Sequence, residues 1–241
     1  MNPSIPDNLQ ADIQALAEGL QKSLGDKLKS VVLYDGMAKN EYIKENDLVC
    51  LMVVLTEVDT GNLDCVGEVL RGDPRQKQYQ TLVLSERDLK TSTDVFPIRF
   101  LDMQQDYDVL VGDDVVKDLE ISRDNLRLRC EQEIKNLLLR LRTLYINSGD
   151  NPKALEGALL KGYYSFLKSG DALAELKTKE VYHNEEAVVE AIGTIGLDAG
   201  LMKKIAGLRQ GESIGDSAAM KETFEGFMAM IESAAQMADE L

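Results

Sequence analysis

Between Val31 and Leu55 the chain gathers most of the side chains whose types could do chemistry: Asp35, Lys39, Glu41, Glu45, Asn46 and Asp47, set between two apolar runs. Carboxylate and amide oxygens are the donors that hard divalent cations take, and a lysine offers a point charge to an anion such as phosphate. Each also has a plainer use. Asp35-Gly36 is a pair common in tight turns for backbone reasons alone, Asp47 fits the polar first residue of a strand, and Glu41, Glu45 and Asn46 fit a solvated loop. His183 is the only histidine and directly precedes a helix start at Asn184, which makes surface or capping use its ordinary role. Cys50, Cys65 and Cys130 are odd in number and lack Cys-x-x-Cys spacing. They sit in apolar contexts and read as buried reduced thiols, giving neither a disulfide framework nor a zinc site.

The elements that must position these residues follow from periodicity. Leu9, Ile13, Leu16, Leu20 and Leu24 recur at helical spacing after a capping Asp7, with Gly25 just past the end, so the chain opens on an amphipathic helix. Lys29 to Tyr34 and Asp47 to Thr56 read as strands, the second apolar at successive positions as a central strand covered on both faces must be. A helix around Asn62 to Leu70, a third strand near Gln80 to Leu84 and a fourth near Val95 to Leu101 complete an α+β pattern, a small mixed sheet with flanking helices. After Gly112 the strand-like runs stop. Ser122 caps a long helix with Leu126, Cys130, Ile134, Leu137, Leu141 and Leu144 on one face, ending at the turn Asn147 to Pro152. Helical patterns over Ala154 to Leu167, Asn184 to Ile195, Asp198 to Leu208 and Ser217 to Ala238 make the second half an all-α bundle. The expected domains are 1–118 and 119–241.

A length of 241 residues can bury a sizeable core, and 44% hydrophobic with 29% charged residues describes a folded globular chain rather than a disordered one. A formal charge of -15 repels phosphate backbones, so no nucleic-acid partner is expected. Arg123, Arg127, Arg129, Arg140 and Arg142 are interleaved with acids and leucines, as on an ordinary helix surface. The longest apolar run, Leu48 to Leu55, is too short for a membrane span, and the Met-Asn-Pro-Ser start has no signal core. A cytoplasmic location with no membrane partner is the expectation.

The order strand, Gly turn, strand with an acid, then a helical bundle resembles the DNA polymerase β-like nucleotidyltransferase superfamily, in particular the antibiotic-type enzymes. In that family a Gly-Ser turn holds a triphosphate at a helix N-terminus, and Asp-x-Asp on the next strand, with a third carboxylate from a neighbouring strand, holds two Mg²⁺ ions. The resemblance implies nucleotide-binding positions at Asp35, Gly36 and Lys39 and metal positions at Asp47 and Asp102, the latter at the end of a strand Phe96 to Asp102. The departures are specific. Asp35-Gly36 replaces Gly-Ser, and two unit charges about 4 Å apart repel by about 4 kcal/mol near a protein surface, so an inward Asp35 opposes a triphosphate. Val49 stands where the second aspartate belongs and has no atom that ligates a cation. Mg²⁺ is the one cofactor the resemblance implies.

Three functions are therefore open: a catalytically inactive nucleotide-binding or regulatory and protein-interaction module, an active transferase moving a nucleoside monophosphate to a hydroxyl, and a structural subunit that binds no nucleotide. A protein partner or a homodimer is compatible with each. Helical ribonuclease domains that pair with small nucleotidyltransferases carry an arginine four to six residues before a histidine. Here no arginine stands between Leu176 and His183, Lys177 and Thr178 included, which argues against that role. The Met and Phe stripe from Met220 to Met237 reads as core rather than a partner surface.

Overall fold

A computed structural model describes residues 5–35, 48–149 and 151–241, and divides the chain into two compact units, Met1–Ile121 and Ser122–Leu241. The first unit is a four-stranded sheet with helices on both faces. Helix α1, Asp7–Leu24, buries Leu9, Ile13, Leu16, Ala17, Leu20 and Leu24, the face its periodicity demands, and stops at Gly25 with φ 56. Its N-cap is Pro6, and Asp7 lies in the first turn, where a negative charge suits the helix dipole.

Strand β1, Leu28–Tyr34, pairs antiparallel with β2, Val49–Leu55, and β2 pairs parallel with β3, Tyr79–Ser85. Between them α2, Thr60–Gly72, is capped by Asp59, whose side chain accepts the Asn62 N–H at 2.8 Å. Every residue of β2 is buried. Val49, Leu51, Val53 and Leu55 pack with Val31 and Leu33 of β1 and with the apolar face of α1, while Cys50, Met52 and Val54 join Val32 and Tyr34 on the opposite face. The period of two along a strand thus feeds two separate cores.

One expected strand is a helix. Val95 to Leu101 holds Phe96 as N-cap and the start of α4, Pro97–Gln105, which follows the short α3, Glu86–Ser92. Pro97 has a φ suited to the first helical turn and cannot donate to an interior strand ladder, and Phe100 and Met103, three apart, are the side chains that reach the core. Asp102 accordingly sits on α4 and not at a strand end. The fourth strand is β4, Tyr107–Gly112, antiparallel to β1, which gives the order β3-β2-β1-β4.

The second unit is all helical. Helix α5, Arg123–Ser148, is capped by Ser122, and α6, Pro152–Thr178, by Asn151. Helix α7 is Glu185–Thr194, α8 is Ala199–Gly207 and α9 is Ser217–Asp239, capped by Asn184, Asp198 and Asp216. Helices α5, α6 and α9 meet at Gly162, where an added Cβ would stand 2.7 Å from Phe227 and 2.8 Å from Leu141. The Met and Phe stripe of α9 faces this core through Met220, Phe224, Phe227 and Met230. Arg209 fastens α7 to α6: it donates to both Glu185 carboxylate oxygens at 2.7 and 2.9 Å, and the buried Tyr163 donates to the same carboxylate at 2.6 Å.

Gly112 closes the β1–β4 pairing opposite Ser30 with φ 85, and a Cβ there would lie 2.1 Å from the Lys29 carbonyl oxygen. Gly112→Ala is expected to cost at least about 2 kcal/mol, through the left-handed φ and the backbone clash together. Urea unfolding followed by circular dichroism measures it, and an unchanged midpoint would contradict this account of β4.

Candidate functional site

The end of the sheet at which β1 finishes and β2 starts carries the positions to which the resemblance points. Asp35 directly follows β1 with φ 63, a left-handed backbone that aspartate tolerates better than most non-glycine residues. Gly36, Lys39 and Asp47 lie outside the described residues, as do Glu41, Glu45 and Asn46. Leu48 is exposed and leads into Val49.

Val49 is fully buried in the apolar core shared with α1. The position where the resemblance asks for a second carboxylate therefore points into hydrocarbon, where an ionised side chain would lose its hydration without a cation to replace it. The opposite face offers a different set. Register places Gln80 beside Cys50, Cys50 beside Tyr34, and Tyr34 beside Tyr107, one residue from each strand in a single row across the sheet. An amide, a thiol and two phenols make up this row. The Cys50 thiol points at the Gln80 amide oxygen at 3.9 Å. The Tyr107 hydroxyl donates to the Asp114 carboxylate at 3.0 Å, and Asp114 also accepts the backbone N–H groups of Val116 and Lys117. Burial first, and then the hydrogen bond to Asp114 and its charge, push the Tyr107 phenol up to about 12.

These residues do not fit a two-metal centre. Val49, Leu48 and Cys50 supply no oxygen, Asp102 is on α4 rather than a neighbouring strand, and no group of three or more His, Cys, Asp or Glu able to hold a metal occurs among the described residues. The three cysteines are free thiols, with Cys50 and Cys130 buried, and burial raises the Cys130 thiol to about 12, which keeps it protonated. No described helix is long and apolar enough to cross a membrane.

The row escaped sequence reasoning because it needs both the register and β4. Its one local signal is the parity of β2, by which Leu48 and Cys50 share a face that Val49 does not.

In structure the chain is similar to a spectinomycin adenyltransferase from Enterococcus faecialis, solved with ATP and spectinomycin. The TM-score is 0.55 at 10% identity, and the match covers 95% of this chain and 99% of that one. The fold is that of a nucleotidyltransferase. The likeness spans the mixed sheet with its flanking helices and the helical unit after it. By sequence the chain matches no protein-family model and no curated protein.

Val49→Asp, which would restore the second aspartate of the resemblance, is expected to destabilise the first unit by more than about 3 kcal/mol and to confer no metal binding. Urea unfolding with and without Mg²⁺ decides, and Mg²⁺-dependent stabilisation of the variant would place position 49 at an open site instead. Tyr107 and, more strongly, Tyr163 and Tyr79 hold phenols raised above the ordinary tyrosine range, burial being the leading cause in each. Their folded values exceed the unfolded value of about 10, so the stability they carry is complete below about pH 10 and is lost as pH rises through the folded values. Tyrosinate absorbance in an alkaline titration should show these three ionising late or only on unfolding, and Tyr107→Phe should remove one late step.

Proposed function

We propose that this protein binds a nucleotide at the end of its sheet and does not transfer it. The observation that carries the reading is Val49, a valine sealed in the apolar core at the position of the second metal-binding aspartate in the resembling enzymes. In-line nucleotidyl transfer draws on two cations held by several carboxylates, and the residues around β2 supply too few. Binding alone asks less. A triphosphate needs backbone N–H donors and one or two cations, and the proposed contacts are Asp35-Gly36 at the turn with Lys39 balancing the charge of Asp35. Asp47 and Asp102 are the candidate oxygen donors for a single Mg²⁺ arriving with the nucleotide. The function is then regulatory, with occupancy of the site read by a protein partner.

The nucleotidyltransferase fold, found also in an adenyltransferase solved with ATP and spectinomycin, is the support for a second reading: an active enzyme that uses Asp47 to move a nucleoside monophosphate to a hydroxyl. Thermal-shift titration with ATP, GTP, CTP and UTP plus Mg²⁺ separates these. A nucleotide present at 100 times its dissociation constant stabilises the fold by about 2.7 kcal/mol. The proposal expects one nucleotide to shift the transition, Lys39→Ala to weaken that shift, and no labelled monophosphate to appear on any acceptor. Labelling that vanishes in Asp47→Ala establishes the enzyme instead, and the absence of any shift leaves a structural subunit.

A further inference from the structure

The two edges of the sheet are built differently. Strand β3 stands at one end of the order β3-β2-β1-β4, and its seven residues run opposite Val49 to Leu55 of β2 without a register shift. A strand so placed turns half of its backbone N–H and C=O groups away from its one neighbour. Among the described residues, no hydrogen bond beyond the pairing with β2 reaches a backbone group from Tyr79 to Leu84, and the Ser85 N–H is taken by Asp88 at 3.0 Å. The devices that guard an edge are missing as well. This strand has no proline, bulge or charged residue, and Lys77 is the one charge from Gln76 to Ser85 in a chain whose residues are 29% charged. The opposite edge is guarded. Strand β4 carries Asp108, shifts register opposite Val31 and Val32, and ends at Gly112 with φ 85, and its Leu110 carbonyl accepts the Gln14 side-chain amide of α1 at 3.4 Å.

We infer that a second copy of this chain pairs along this edge, β3 against β3 in antiparallel sense, about a two-fold axis at Leu82. A row of alternating N–H and C=O groups is complementary to an identical row run in the opposite direction, so the fit comes from the backbone and needs no opposite charge. Two chains that each carry a formal charge of -15 repel least where both are uncharged, and Tyr79–Ser85 is such a place. Centring on Leu82 uses the whole strand: Leu82 meets its own image, Thr81 the partner's Val83, Gln80 the partner's Leu84 and Tyr79 the partner's Ser85. A short 3-10 turn, Gln76–Gln78, precedes β3 and α3 follows it, so neither strand overhangs the other. The same edges select the occupant. One two-fold contact consumes both unguarded edges, and the joined sheet then ends on β4 and its image, both guarded. A single added peptide only moves the open edge outward by one strand.

The inference stands independently of nucleotide binding. Sedimentation velocity and light scattering on the full chain at rising concentration should give twice the 26.7 kDa chain mass. Leu82→Lys sets two like charges face to face at the axis and should return the chain to a single-chain mass with its helical circular dichroism intact. Val181→Glu, at an exposed position in the second unit, should leave the dimer unchanged. In a Cys65→Ser background, Leu82→Cys should form a disulfide with its own copy, whereas Leu84→Cys, which stands opposite Gln80, should not. The cross-link carries the test if Leu82→Lys fails to fold. A single-chain mass at every concentration overturns the inference and leaves the edge to a strand of another protein. A dimer that is indifferent to Leu82→Lys, or that Leu82→Cys never cross-links, overturns the β3 pairing, and a Leu84→Cys chain that links to itself overturns its register.

Discussion

Strand β2 is buried on both faces from Val49 to Leu55, and that constraint fixes how the first unit is read. A strand with no solvent side must satisfy two cores at once, so each position is committed to one face by parity, and a shift of one residue exchanges all of them. Odd positions from Val49 meet α1 and its neighbours, and even positions from Cys50 meet α3 and α4. The pairing of β1, β3 and β4 around this strand then decides which side chains stand together at its open end.

That commitment accounts for the character of the candidate site. In the resembling enzymes the strand that starts here delivers two carboxylates on one face. In this chain the corresponding valine is absorbed by the apolar core, and the row on the other face is Gln80, Cys50, Tyr34 and Tyr107. These are neutral donors and acceptors, suited to hydrogen bonding and aromatic contact rather than to hard cations. The nucleotidyltransferase fold is present, and the described row at this end of its sheet carries an amide, a thiol and two phenols.

Much of the architecture was legible in the sequence because its signals are local. The periodicity of Leu9 to Leu24, the unbroken apolar run of β2, the Ser122 cap, the helix starts at Asn184 and Asp198 and the α9 stripe each need only neighbours in the chain to be recognised. Helix α6 runs eleven residues past its expected end, through Ser169, Gly170 and Asp171, since tertiary burial of these small and polar residues overrides their weak helical preference. The strand expected at Val95 to Leu101 failed where Pro97 opens a helix, and β4 was missed because an edge strand paired only to β1 carries a short, partly polar signature. The site was the least legible part. Which residues face each other across four strands is set by register, and Asp102, expected at the end of a strand, stands on α4.

Under the proposed function, the sheet end binds a nucleotide and does not transfer it. Phosphorus NMR of ATP and Mg²⁺ incubated with the protein tests this in one sample. The account predicts shifted or broadened triphosphate resonances in the presence of the protein and no pyrophosphate signal however long the incubation with hydroxyl acceptors. Pyrophosphate that accumulates with the wild-type chain and not with Asp47→Ala would contradict it.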